Sequence, residues 1–99
     1  MPNAVELITF SLVKGASVPD FLLAAEKVHS EFMSKQKGFI SWKTLADGEN
    51  WADLLMWETM EDAKNATEAS GMNPCAQEFC SFIDEKSVKF QLFSVEKSY

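Results

Sequence analysis

Few side chains in this 99-residue chain could do acid–base or nucleophilic chemistry. His29 is the sole histidine, and an imidazole with an ordinary pKa of roughly 6.5 suits proton transfer near neutral pH. It falls among Phe21, Leu22, Ala25, Val28, Phe32 and Met33, which recur at helical spacing and define one apolar stripe. There it is either a base facing a cleft or a half-buried ring bonded to a carbonyl or carboxylate. Cys75 and Cys80 are the two thiols. Five residues apart on a helix, they point about 140° apart around the axis and cannot readily pair. They form neither a CxxC redox pair nor a four-ligand zinc set, and read as packing thiols. Glu58, Glu61 and Asp62 open a helix, where acids complement the helix dipole without needing a metal. No cofactor and no metal is expected.

The elements that position these groups follow from composition and pattern. Hydrophobic residues make up 46% of the chain, with eight Phe and three Trp, which excludes a disordered linker. The length fits a single domain over residues 1–99. A net charge of −6 argues against nucleic acid or an anionic membrane surface as partner, because both need a basic footprint. No apolar run approaches the roughly 20 residues of a membrane span. Met1-Pro2-Asn3-Ala4-Val5-Glu6 has no basic n-region, so no signal peptide is expected. With only two cysteines, the expected location is the cytoplasm.

Val5–Leu12 reads as a first strand. Ser17-Val18-Pro19-Asp20 reads as a capped helix start leading into the apolar stripe, and Gly38 ends that helix. Phe39–Leu45 and Asn50–Trp57 are two strands joined at an Asp47-Gly48 turn signal, hence a hairpin. Thr59-Met60-Glu61-Asp62 starts a second helix lined by Ala63, Ala66 and Ala69, and Asn73-Pro74 restarts it. Val88–Val95 is the last strand. The order is β-α-β-β-α-β, a ferredoxin-like α+β fold with a four-stranded antiparallel sheet and the helices on one face.

Both sheet faces carry apolar residues. On the third strand Trp51, Asp53, Leu55 and Trp57 share one face, and Ala52, Leu54 and Met56 share the other. The first strand sets Val5 and Leu7 against Ile8, Phe10 and Leu12. One helix layer covers one face only, so a second copy of the sheet is the simplest cover for the other. A homodimer through sheet-to-sheet packing is expected.

With these elements in place, the chain resembles the dimeric α+β barrel superfamily, in the antibiotic-biosynthesis-monooxygenase-like branch. The resemblance rests on the Lys14-Gly15 exit from the first strand, the Gly38-Phe39 opening of the second, and above all Trp57-Glu58-Thr59-Met60-Glu61-Asp62-Ala63. That run is similar to the family's Trp-Glu-Ser-x-x-x-Ala junction. The resemblance implies that two protomers close a barrel sheet on sheet. It also implies a cleft between helices and sheet, with Trp57 on its wall. Trp57, Asp53 and His29 then become the candidate catalytic residues, and Phe10, Ile8, Leu55 and Trp51 the candidate substrate-binding residues, with Phe10 and Trp57 sandwiching a flat ring. Cofactor-free oxygenases of the family carry an asparagine where this chain has Asp53. An ionised Asp accepts a proton but cannot donate a hydrogen bond as Asn does. The family's haem degraders use an Asn where Ile8 stands and a histidine on the second helix, where this chain has none, so haem degradation is not expected.

The resemblance thus implies a cofactor-independent monooxygenase-like enzyme for a small aromatic or quinone-like compound. The alternative is a non-catalytic, small-ligand-binding or stress-related dimer. Few polar groups converge in the implied cleft, which keeps both readings open.

Overall fold

Alternating apolar residues shape four strands in the computed structural model, which describes residues 2–99: β1 (Ala4–Phe10), β2 (Phe39–Asp47), β3 (Asn50–Trp57) and β4 (Lys89–Ser94). Helix α1 (Val18–Glu31) links β1 to β2, while α2 (Met60–Ser70) and α3 (Pro74–Cys80) link β3 to β4. The sheet is antiparallel throughout, in the spatial order β2-β3-β1-β4. This is the ferredoxin-like arrangement expected from the sequence. β1 stops short of the expected Leu12, which makes only an isolated bridge to Ile83.

The helix ends follow their capping residues. The Ser17 hydroxyl accepts from the Asp20 N–H at 3.3 Å, Thr59 from the Asp62 N–H at 3.0 Å, and the Asn73 side chain from the Ala76 N–H at 3.1 Å. Each bond satisfies an amide that has no partner within its own helix. The new cap at Asn73 separates α2 from α3.

Register fixes which side chains meet the helices. Across the β1–β3 ladder, Ala4 faces Trp57, Glu6 faces Leu55, Ile8 faces Asp53 and Phe10 faces Trp51. These eight share the helix-covered face, as strand parity requires. Beneath the helices the apolar core has two parts. Phe10, Phe21, Val28, Phe32 and Phe79 form one, and Ala4, Leu55, Trp57, Ala63 and Ala66 form the other. Alanines on α2 bring that helix close over Trp57, which is fully buried. On the opposite face Val5, Leu7, Leu54 and Met56 are only half-buried, and Leu45 and Phe93 are 42% and 48% exposed.

Helix α1 corrects one expectation. Its buried side chains are Phe21, Ala24, Ala25 and Val28, whereas Leu22 and His29 are exposed. The buried stripe runs along Phe21, Ala24, Ala25 and Val28, and His29 falls beyond its margin.

Gly38 ties the start of β2 to the β3–α2 junction. Its φ of +80° lies in the left-handed region, and its carbonyl accepts the Glu58 N–H at 2.8 Å. A Cβ here would collide with the Asp62 side chain down to that residue's own Cβ, 2.7 Å away, so α2 itself would have to shift. Gly38→Ala should therefore cost about 2–4 kcal/mol through backbone strain and overpacking. A urea midpoint within error of the parent would show that this approach is not a constraint.

Candidate functional site

A cleft of about 470 Å³ opens between the sheet and the helices, walled by Glu6, Ile8, Trp42, Asp53, Phe79 and Phe90. Its floor is Leu55 and Trp57, and α2 contributes Ala66 and Thr67. It exists because the alanine face of α2 and the short α3 do not fill the space that the larger α1 side chains fill at the other end of the sheet. Volumes of this size accept a small planar ligand.

Two buried carboxylates enter the cleft from adjacent strands. Glu6 is 4% exposed and Asp53 is 3% exposed. Because Glu6 pairs with Leu55 and Ile8 with Asp53, the two acids are diagonal neighbours on one face. Each is held by a tryptophan. The Trp57 indole N–H donates to Glu6 Oε1 at 2.9 Å, and the Trp42 indole N–H donates to Asp53 Oδ1 at 3.1 Å. Thr67 Oγ1 lies 3.3 Å from Glu6 Oε2 and 3.0 Å from the Ala63 carbonyl, so its single proton serves one acceptor at a time. Among the described residues no donor reaches the second oxygen of Asp53, yet no buried side-chain oxygen lacks a partner. That oxygen therefore meets the open cleft.

Burial changes the acid chemistry of both groups. Loss of hydration pushes Asp53 up to about 7; the Trp42 hydrogen bond opposes the shift, and the neighbouring Glu6 charge adds to it. Burial also raises Glu6, against the bonds from Trp57 and Thr67. The Cys80 thiol, at the cleft edge, is raised by burial and by Asp53. An acid near 7 is half protonated at neutral pH, so Asp53 can accept a proton in one form and donate a hydrogen bond in the other.

The structure brings four of the seven sequence-predicted candidates to this cleft: Asp53, Trp57, Ile8 and Leu55. Trp57 has no exposed ring face to stack on a ligand. Its edge packs on Phe39, with ring centroids 5.6 Å apart, and its N–H holds Glu6. Phe10 and Trp51 lie elsewhere. Both pack around Phe21, at centroid distances of 5.9 and 5.3 Å, and border a separate open depression at the strand ends. The expected sandwich of a ring between Phe10 and Trp57 is therefore corrected, since the Phe21 side chain occupies the space over Phe10. His29 lies outside too, in a shallow hollow beyond Trp42, tilted against Phe39 and Trp42 at 5.6 and 6.4 Å.

Two residues at the centre of the site were missed from sequence. Glu6 carried a signal, being an acid inside an apolar strand and in phase with Ile8 and Phe10. Trp42 carried another, because the hairpin turn sets it opposite Leu55 on the helix-covered face. Cys75 and Cys80 are both free, and the Cys75 thiol donates to Glu31 at 3.2 Å on the far side of α3.

No protein-family model matches the sequence, and no curated protein sequence does. Solved structures do match its shape. SnoaB, a cofactor-independent oxygenase from Streptomyces nogalater, superposes with a TM-score of 0.80 at 14% identity, covering 99% of this chain and 97% of its own. A Nitrosomonas europaea protein named as an antibiotic biosynthesis monooxygenase gives 0.72 at 14% identity, over 95% of this chain and 90% of its own. One of the same name from Bacillus cereus gives 0.65 at 18% identity, over 100% and 98%. At such identities the likeness is one of fold: this chain has the ferredoxin-like α+β sheet found in antibiotic-biosynthesis-monooxygenase-like proteins.

Proposed function

We propose that the cleft binds a small planar aromatic or quinone-like compound and that Asp53 removes a proton from it, as the first step of a cofactor-independent monooxygenation. The observation that carries this reading is Asp53 itself. It is a buried acid poised near 7, with one oxygen fixed by Trp42 and the other facing the cleft. The fold shared with SnoaB, described as a cofactor-independent oxygenase, supports it. In the proposed reaction an acidic ring CH₂ loses one proton to Asp53, and the resulting carbanion passes electrons to dioxygen. One oxygen atom remains as the new carbonyl, and the other leaves as water with the two hydrogens. Because the proton goes to Asp53, charge moves within the cleft rather than accumulating there.

Oxygen uptake with anthrone-like and quinol-like compounds is the test. Uptake in step with substrate loss supports an oxygenase. Binding that quenches tryptophan fluorescence without uptake leaves the carrier reading. Trp42 is the reporter at the cleft wall, since Trp57 is already covered.

We further infer that the working form is a homodimer in the cytoplasm, built by packing the uncovered sheet faces together. Val5, Leu7, Leu54, Met56 and Phe93 form an apolar surface that no helix covers. Sedimentation at micromolar concentration should give twice the 11.1 kDa chain mass. Leu54→Asp should give monomer, because a charge buried between two sheets has no partner. An unchanged dimer in that variant would place the interface elsewhere.

A further inference from the structure

The charge of the cleft wall narrows its ligand class. Among the described residues, the titratable groups lining the cleft are Glu6 from β1, Asp53 from β3, the Cys80 thiol from α3, and Glu85 from the turn before β4. β2, α1 and α2 contribute no charged side chain, and no lysine, arginine or histidine lines the cleft. Apart from the hydroxyls of Thr67 and Ser70, the rest of the wall is apolar or aromatic. Trp42 and Phe79 meet edge to face at 5.7 Å, and Phe90 is 48% exposed at the β4 side. Desolvated carboxylates beside aromatic faces attract a cation twice over, through charge and through the ring quadrupole. They repel an anion for the same reasons.

We infer that the ligand is a planar ring bearing an aminoalkyl ammonium group, with the ring against Trp42 and Phe79 and the ammonium held by the combined charge of Glu6, Asp53 and the rim Glu85, without taking the Asp53 oxygen that faces the ring. This rests on the proposed reading of the cleft as a site for a planar compound, and it names the substrate class. It also removes a difficulty in that reading. A carbanion formed next to Glu6 is disfavoured by the acid's charge, and a cationic substituent on the same molecule offsets it. Two buried acids side by side are costly to the fold, since among the described residues neither has a basic partner and indole hydrogen bonds offset only part of their lost hydration.

A matched series of naphthalenes separates charge from ring: 2-naphthylmethylamine, 2-naphthylmethanol and 2-naphthoate, titrated against tryptophan fluorescence. At pH 8 the ammonium compound is expected to bind about tenfold more tightly than the alcohol, and the carboxylate at least about tenfold more weakly. Between pH 6 and pH 8 the ammonium affinity should rise about tenfold as Asp53 ionises, while the alcohol stays level. In Asp53→Asn the ammonium's advantage over the alcohol should shrink to about twofold to fourfold, the share left to Glu6 and Glu85. Glu85→Gln, at the exposed rim, provides a folded variant that should lose part of the same preference even if Asp53→Asn proves unstable.

Equal binding of ammonium and carboxylate overturns the inference. So does an ammonium preference unchanged in both variants, or no ammonium binding at millimolar concentration. The oxygenase reading fails separately. Cation preference without oxygen uptake sinks only the oxygenase, whereas uptake of neutral anthrones without cation preference sinks only the ligand class.

Discussion

Asp53→Asn is expected to slow oxygen uptake by about 10²–10⁴-fold, the range for loss of a positioned acid or base, while making the folded protein more stable at pH 8. Both effects have one cause. In the folded chain burial raises Asp53 from its ordinary 3.8 to about 7. Between those values the folded protein holds a proton that the unfolded chain has released, so stability falls as pH rises across that window. By pH 8 the buried carboxylate is ionised, and the roughly 3-unit shift costs on the order of 4 kcal/mol. Asparagine keeps an oxygen for the Trp42 indole but carries no charge. The variant should therefore gain about 2–4 kcal/mol at pH 8 and little at pH 4, where the folded acid is neutral and the unfolded one is only about half ionised. Urea unfolding at the two pH values measures this directly. A variant less stable at pH 8 would mean that Asp53 is not a desolvated acid. In the parent, uptake should rise with pH through about 7 as the basic form fills. Trp42→Phe should move that limb upward, because the bond it removes favours the carboxylate.

Trp57→Phe is expected to cost about 3–5 kcal/mol, which for a domain of this size can abolish folding near body temperature. The indole is fully buried, and its N–H is the 2.9 Å partner of Glu6. Phenylalanine leaves a void and a buried carboxylate without its donor. Stranding a charged acceptor alone accounts for about 1.5–3 kcal/mol of the loss. The double variant Trp57→Phe with Glu6→Met removes both partners, so it should lose less than the sum of the two single changes. Strict additivity in the urea midpoints would show that Trp57 acts by packing alone. The result bears on function as well, since Trp57 anchors Glu6 and so shapes the cleft from beneath.

The sequence alone determined the order of elements, the hairpin, the caps at Ser17, Thr59 and Asn73, and the sharing of one sheet face by Asp53, Leu55 and Trp57. All of these are set by local spacing. A cap needs its acceptor within three residues, and strand parity fixes a face from any one member of the strand. Tertiary structure decided everything that depends on distance between elements. Parity placed Phe10 and Trp51 on the correct face, but only packing revealed that Phe21 fills the space above them. Periodicity put His29 on a stripe, but α1 buries Phe21, Ala24, Ala25 and Val28 and leaves His29 exposed beside Trp42. Most of all, the acidity of Asp53 is absent from the sequence. It arises because β1, β3 and α3 converge to strip water from a carboxylate whose nearest charged neighbour, Glu6, lies 47 positions away in the chain.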